Sequence, residues 1–283
     1  MPASDRNETT GSRFTRLVRQ QYLAGGYVFA TPAVDRARGK GISRIARLAS
    51  NENPWPPSDT AIRMGGEALE GANRYPDQTM TELVSALSRY HGDYSFVTGV
   101  GMDGVIETLI RTMVNPGDKV AVAVPTFSFY QLAARAQSAD IIDIPRQADF
   151  AVEPRDFIRK AREAKISFLC TPNNPTGTVL TEEEMYVLYK ICKKHGLFLL
   201  SDEVYREFVY DGRVQVSALS LPEIHDQVIV LDSISKRFSA CGARVGCIIN
   251  RDRKLMDEII KFNQARLCPP TIEQVGAVAA YKN

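Results

Sequence analysis

The 283-residue sequence predicts an α/β fold, a mostly parallel seven-stranded sheet flanked by helices. Three observations carry this. First, seven short apolar runs recur along the chain: Phe96–Val100, Val120–Val124, Ile141–Ile144, Ile166–Cys170, Leu197–Ser201, Val228–Leu231 and Val245–Ile249. Several are continuous rather than alternating, as strands buried on both faces must be. Second, helical periods fall between most of them, at Val105–Val114, Phe127–Ala136, Glu153–Ala164 and Glu182–His195. Third, residues capable of binding or chemistry gather where the runs end, which is where open α/β sheets bind ligands.

The elements outside the sheet follow in order. Met1 to Arg13 is polar, has no apolar core of a signal peptide, and reads as a disordered tail. Residues 14–48 mix basic residues with one short apolar run, Gly26 to Ala30, and read as an arm with a first piece of an accessory domain. The three prolines and two asparagines of Leu48 to Ser58 forbid regular structure and mark a long ordered loop. Ser58 can cap a helix over Asp59–Leu69. After the turn Arg74-Tyr75-Pro76-Asp77, Leu83, Val84, Leu87 and Tyr90 share one face of a helix over Thr81–His91. Beyond the last strand, Arg251–Phe262 and Thr271–Asn283 are helical by pattern.

Composition narrows the class. Hydrophobic content of 44% and charged content of 24% suit a soluble globular chain, and no apolar run approaches membrane-spanning length. A net charge of +2 with mixed signs argues against the clustered basic face that a nucleic-acid partner would need. Five cysteines, Cys170, Cys192, Cys241, Cys247 and Cys268, show no close pairing and no Cys-x-x-Cys, which suits thiols in a reducing cytoplasm.

The densest chemistry lies in Leu231 to Gly246. Ser233 and Ser235 precede Lys236, and Arg244 follows eight residues later between Gly242 and Gly246. Hydroxyls and a planar guanidinium are donors for a phosphate monoester, with an amine held beside it. A solvated Lys-Arg pair at a strand end is the plainer reading of this stretch taken singly. Gly99-Val-Gly101-Met-Asp-Gly104 matches G-x-G-x-x-G, but the following strand ends in Pro125 rather than an acidic residue, which disfavours a dinucleotide. What remains is a glycine-rich turn offering backbone N–H groups near Met102 and Asp103 to an anion. Phe127, Asn174 and Asp202 stand just past three further strands, with Tyr205 three residues beyond Asp202. A carboxylate in Asp202's position is costly unless paired, although a helix N-cap would also account for it.

In order, the set runs aromatic, Asn-Pro-x-Gly, Asp-x-x-Tyr, Ser-x-Ser-Lys and Arg-x-Gly. It resembles the pyridoxal-phosphate-dependent aminotransferases of fold type I, over about residues 14–283. The resemblance implies an aspartate-aminotransferase-like fold with pyridoxal 5'-phosphate as cofactor and Lys236 as Schiff-base lysine and proton carrier. It implies that Asp202 pairs with the pyridine nitrogen, that Tyr205 and Asn174 hydrogen-bond the phenolic oxygen, and that Phe127 stacks on the ring. It further implies a phosphate held by Ser233, Ser235, Arg244 and the turn at Met102, Asp103 and Gly104. Tyr75 would reach the neighbouring subunit's phosphate in a homodimer. The implied division is 14–48 as arm and part of a small domain, 49–262 as large cofactor-binding domain, and 263–283 as linker helix and start of an incomplete small domain.

Two branches of the family are legible. Ala49-Ser50-Asn51-Glu52-Asn53-Pro54, Arg74 to Asp77 and Gly101 to Glu107 resemble histidinol-phosphate aminotransferases. Asp202 to Phe208 and Ser233 to Arg244 are more similar to aspartate aminotransferases. A fusion and a divergent branch both fit. Family members usually continue beyond residue 283 into a segment that supplies the arginine for the substrate's α-carboxylate. The expected activity is amino transfer between histidinol phosphate or an L-amino acid and a 2-oxoacid such as 2-oxoglutarate. The alternatives are aspartate or aromatic amino transfer, a decarboxylase or lyase reaction, and an inactive pyridoxal-phosphate-binding fragment.

Overall fold

The structure is a computed structural model, and it describes residues 17–23, 33–46, 48–221 and 227–282. The expected tail at 1–13 and the apolar run Gly26 to Ala30 lie outside the described residues. All seven expected strands are present: β1 (Ser95–Val100), β2 (Lys119–Val124), β3 (Asp140–Pro145), β4 (Ile166–Cys170), β5 (Phe198–Asp202), β6 (Val228–Ser233) and β7 (Val245–Asn250). They form one sheet in the order β1-β7-β6-β5-β4-β2-β3. β7 runs antiparallel to both its neighbours, β1 and β6, and the other pairs are parallel.

The eleven described α-helices begin with two short pieces that periodicity does not announce, α1 (Gln20–Leu23) and α2 (Ala33–Arg38). Then follow α3 (Asp59–Glu67), α4 (Thr81–His91), α5 (Gly101–Met113), α6 (Phe129–Ala136), α7 (Pro154–Ala161), α8 (Glu182–His195), α9 (Ile234–Arg237), α10 (Arg253–Ala265) and α11 (Thr271–Lys282). Local chemistry sets several ends. Ser58 Oγ accepts from the Ala61 N–H, as its place before α3 predicts. A capping box between Thr181 and Glu184 opens α8, and Gly196, in left-handed conformation, closes it. α6 starts two residues later than periodicity suggests, which leaves Phe127 on the loop after β2.

Alternate strand residues feed two cores. Ala121, Leu169, Leu199 and Val230 pack with α4, α7, α8 and α11 on one face. Val122, Phe168, Leu200 and Leu231 pack with α5, α6 and α10 on the other. Burying each such leucine or phenylalanine contributes about 1.5–3 kcal/mol, so both helical layers are held firmly to the sheet. At the carboxyl edge, pairing puts Ser233 of β6 beside Gly246 of β7, and Gly246 beside Gly99 of β1. Arg244 departs from the expectation that site residues gather where the runs end, since it stands just before β7. Because β7 is antiparallel, its start lies at the same edge as the ends of the others. No helix among the described residues is long and apolar enough to cross a membrane.

Candidate active site

The carboxyl edge of the sheet opens into two adjoining cavities that share Lys236, Tyr205, Asn174 and Asn51. The inner one, about 380 Å³, is lined by Met102 and Asp103 from α5, by Phe127 and Tyr130, by Asp202 of β5, and by Ser235, Cys241 and Arg244. The outer one, about 440 Å³, is walled by Asn51 to Pro54 of the proline-rich loop, by the 172–177 turn, and by Phe208 and Tyr210. Lys236 stands at their junction.

Asp202 is the last residue of β5 and is 3% exposed. Its Oδ2 accepts from the Tyr130 hydroxyl at 2.5 Å and its Oδ1 from the Val204 N–H at 3.1 Å. Burial pushes its pKa up from 3.8 to about 6, while these two donors pull it down. Tyr130 is fully buried, stacks on Phe168 with centroids 4.6 Å apart, and meets Phe127 edge-on at 5.6 Å.

Lys236 is half-buried on α9, and its Nζ donates to the Ser50 and Asn51 carbonyls, both at 3.1 Å. Desolvation lowers its pKa, and the Arg244 charge adds to that. A depressed lysine pKa makes the neutral, nucleophilic amine more accessible. Both accepting carbonyls belong to residues with positive φ, Ser50 at 68° and Asn51 at 50°, so the loop is bent to face the amine. Asn51 Nδ2 also donates to the Tyr205 hydroxyl at 3.0 Å.

The remaining residues sort by place. Ser235 lines the inner cavity, whereas the Ser233 hydroxyl is buried behind it, bonding the Val245 carbonyl at 3.0 Å and capping α9 through the Ser235 N–H. Arg244 reaches Asp103 Oδ2 at 3.1 Å, and burial raises the Asp103 pKa. Gly104 does not line the cavity; a Cβ there would sit 3.3 Å from that of Val100, so its smallness serves the join of β1 and α5. A Cβ on Gly246 would come within 2.7 Å of the Gly101 carbonyl, so only glycine lets β7 run this close to the α5 N-terminus. Asn173, not Asn174, builds the turn: its amide bonds Pro125 O and Thr176, and its oxygen accepts from Thr126 and Arg146. Asn174 is left lining both cavities. Tyr75 is 82% exposed and lines neither.

Reading the sequence alone missed Tyr130, Cys241 and the carbonyls of Ser50 and Asn51. Only Tyr130 gave a signal, a phenol in an apolar helical stripe whose hydroxyl needs a buried partner. Backbone carbonyls carry no residue-type signature.

The donor set fits pyridoxal 5'-phosphate. At one end, the first-turn N–H groups of α5 have no intrahelical acceptor and stand with Ser235 and Arg244, as a phosphate requires. At the other end a buried carboxylate with two hydrogen-bond donors can take a protonated pyridine nitrogen, and the amine and an aromatic ring lie between.

Comparison with known proteins agrees. Residues 43–283 match the family model described as aminotransferase class I and II. The chain is 46% identical over 232 residues to a histidinol-phosphate aminotransferase of Methanoculleus marisnigri, covering 82% of this chain and 64% of that protein. Against the histidinol-phosphate aminotransferase of Methanosphaerula palustris the identity is 47% over 221 residues, 78% of this chain and 60% of that protein. The chain thus spans less than two thirds of the length of these relatives. A match of 232 residues cannot be confined to the first 180, so this likeness reaches into the half that resembles aspartate aminotransferases. In fold, aspartate aminotransferase from Thermus thermophilus with maleate superposes with a TM-score of 0.80 at 21% identity, covering 94% of this chain and 73% of that one. The seven-stranded sheet, the lysine at its carboxyl edge and these matches together make the chain a member of the class I and II aminotransferase family, whose members work with pyridoxal 5'-phosphate.

Proposed function

We propose that the chain carries the cofactor site of a pyridoxal-phosphate-dependent aminotransferase whose amino donor is histidinol phosphate and whose acceptor is a 2-oxoacid such as 2-oxoglutarate. One observation carries the reading: the Lys236 amine stands where two cavities meet, the inner one floored by the buried carboxylate of Asp202 and the outer one walled by the proline-rich loop and the 172–177 turn. Identity of 46% to a histidinol-phosphate aminotransferase supports the donor.

In this reading the cofactor supplies an electron sink for the carbanion formed at the substrate carbon. The protein's residues do the rest. Asp202, kept anionic by Tyr130 and Val204, holds a proton on the ring nitrogen. Lys236, its pKa lowered by desolvation, provides the covalent tether and then moves a proton at the reacting carbon. Tyr205 and Asn174 orient the phenolic oxygen, and Phe127 covers one ring face. Ser235, Arg244 and the first-turn amides of Met102 and Asp103 hold the phosphate, with Ser233 and Gly104 shaping that cradle from behind. In this reading residues 49–262 form the cofactor-binding domain, 14–48 an arm and part of a small domain, and 263–283 the linker helix and start of that small domain. Exposed Tyr75 reaches a neighbouring subunit's phosphate in a homodimer. Five free cysteines suit the cytoplasm.

The test is amino transfer to 2-oxoglutarate from histidinol phosphate beside aspartate, followed as glutamate or oxaloacetate formed. Faster transfer from histidinol phosphate is expected. Transfer from aspartate alone would overturn the donor, and release of carbon dioxide in place of pyridoxamine phosphate would overturn the reaction class.

A further inference from the structure

Behind the lysine lies a second charged cluster, on the face of the sheet away from the inner cavity. Asp232 and Arg237 bracket the segment that carries Ser233, Ser235 and Lys236. Asp232 Oδ2 accepts from Arg237 Nη1 at 2.8 Å, with the two side chains 0% and 5% exposed. Asp232 Oδ1 accepts from the Ser233 N–H at 2.7 Å. On its other side the guanidinium Nε lies 3.1 Å from Glu207 Oε1, close enough to pair in charge but not aligned as a hydrogen bond. It also lies over the Tyr90 ring, 4.9 Å from the centroid. Glu207 is two residues past Tyr205, so this one guanidinium joins the lysine segment to the Tyr205 segment.

Asp232 has a second basic neighbour, His91, at 3.4 Å. Burial and two nearby arginines push the His91 pKa down to about 3, so it is neutral; Arg237 makes the direct ion pair with Asp232, and the more distant charge of Arg206, itself 3.3 Å from Glu207, adds to it. Four-residue α9 cannot hold its own shape, because nucleating a helical turn costs more than one or two turns return. Its placement therefore comes from its ends. The Ser233 hydroxyl caps one end, and Arg237 anchors the other.

We propose that Arg237, gripped by Asp232 and Glu207, is a positioning residue that fixes the Lys236 amine relative to the Tyr205 hydroxyl at the cofactor site. This rests on the proposed attachment of pyridoxal phosphate at Lys236. Removing the guanidinium strands the Asp232 carboxylate and releases α9, so a fold penalty and a site penalty arrive together. A double variant separates them.

The experiment compares the full chain with Arg237→Met, Asp232→Asn/Arg237→Met, Arg237→Lys and Glu207→Gln. Each is measured for melting temperature, pyridoxal phosphate affinity, and the pH midpoint of the visible band of bound cofactor. The double variant leaves no buried charge unpaired and is expected to melt near the wild type. It should still bind pyridoxal phosphate about tenfold or more weakly, with the midpoint displaced by about half a unit. Arg237→Lys, which keeps the charge without the fork, should fall between. Glu207 is 45% exposed, so Glu207→Gln folds even where the core variants do not, and it should displace the midpoint in the same direction. Wild-type affinity and midpoint in the double variant, or an unmoved midpoint in Glu207→Gln, would overturn the proposal. A wild-type chain that takes up no pyridoxal phosphate would instead count against the cofactor reading.

Discussion

Replacing Tyr130 by Phe isolates the group that keeps Asp202 charged. The Tyr130 hydroxyl donates to Asp202 Oδ2 at 2.5 Å, and both residues are almost fully buried. A hydrogen bond to a charged group is worth about 1.5–3 kcal/mol, and one pKa unit is about 1.4 kcal/mol. Losing the donor should therefore lift the Asp202 pKa by roughly one to two units. From about 6 it would move to roughly 7–8, so at neutral pH the carboxyl would pass from mostly ionised to at least about half protonated. The assay is a carbon-13 NMR titration of aspartate carboxyls in the cofactor-free protein, with Asp202→Asn assigning the resonance. A midpoint that stays put or falls in Tyr130→Phe would refute the reasoning, since it would mean that water entering the gap solvates the carboxylate as well as the phenol did.

Further predictions follow from the same charges and contacts. The folded-state pKa of Asp202 lies above its ordinary 3.8, so its stability contribution is whole below that value and lost as pH rises through about 6. The cofactor-free Asp202→Asn variant should thus unfold with a free energy roughly 2–3 kcal/mol higher than wild type at pH 8, measured by urea titration, while binding pyridoxal phosphate far more weakly. His91 has the opposite sign: its folded pKa of about 3 lies below 6.5, so its contribution is whole above 6.5 and lost as pH falls toward 3. His91→Gln should flatten the acid limb of the urea midpoint between pH 6.5 and 4. Gly246→Ala forces a methyl against the Gly101 carbonyl and should cost about 1–3 kcal/mol, seen in the melting temperature, together with weaker pyridoxal phosphate binding.

The sheet was legible because buried parallel strands must be short apolar runs, and β4 and α8 fall on the expected residues. What the sequence let one expect of the site was a set of side chains near strand termini, and Asp202, Lys236 and Arg244 do line one cavity. The site was illegible where the chain works through its backbone or through an ordinary core residue. Ser50 and Asn51 offer carbonyls, and Tyr130 looks like packing until its hydroxyl is followed to Asp202. The Ser-x-Ser spacing suggested two phosphate donors, yet Ser233 spends its hydroxyl on Val245 and α9. Helices α1 and α2 gave no periodic signal, being four and six residues long.

The most direct test of the central claim is to incubate the chain with pyridoxal phosphate, reduce with borohydride and map the modified peptide by mass spectrometry. A single pyridoxyl group on Lys236, absent in Lys236→Ala and unaffected by other lysine substitutions, is the predicted result. No incorporation, or a label spread over surface lysines with Lys236 unmodified, would contradict it.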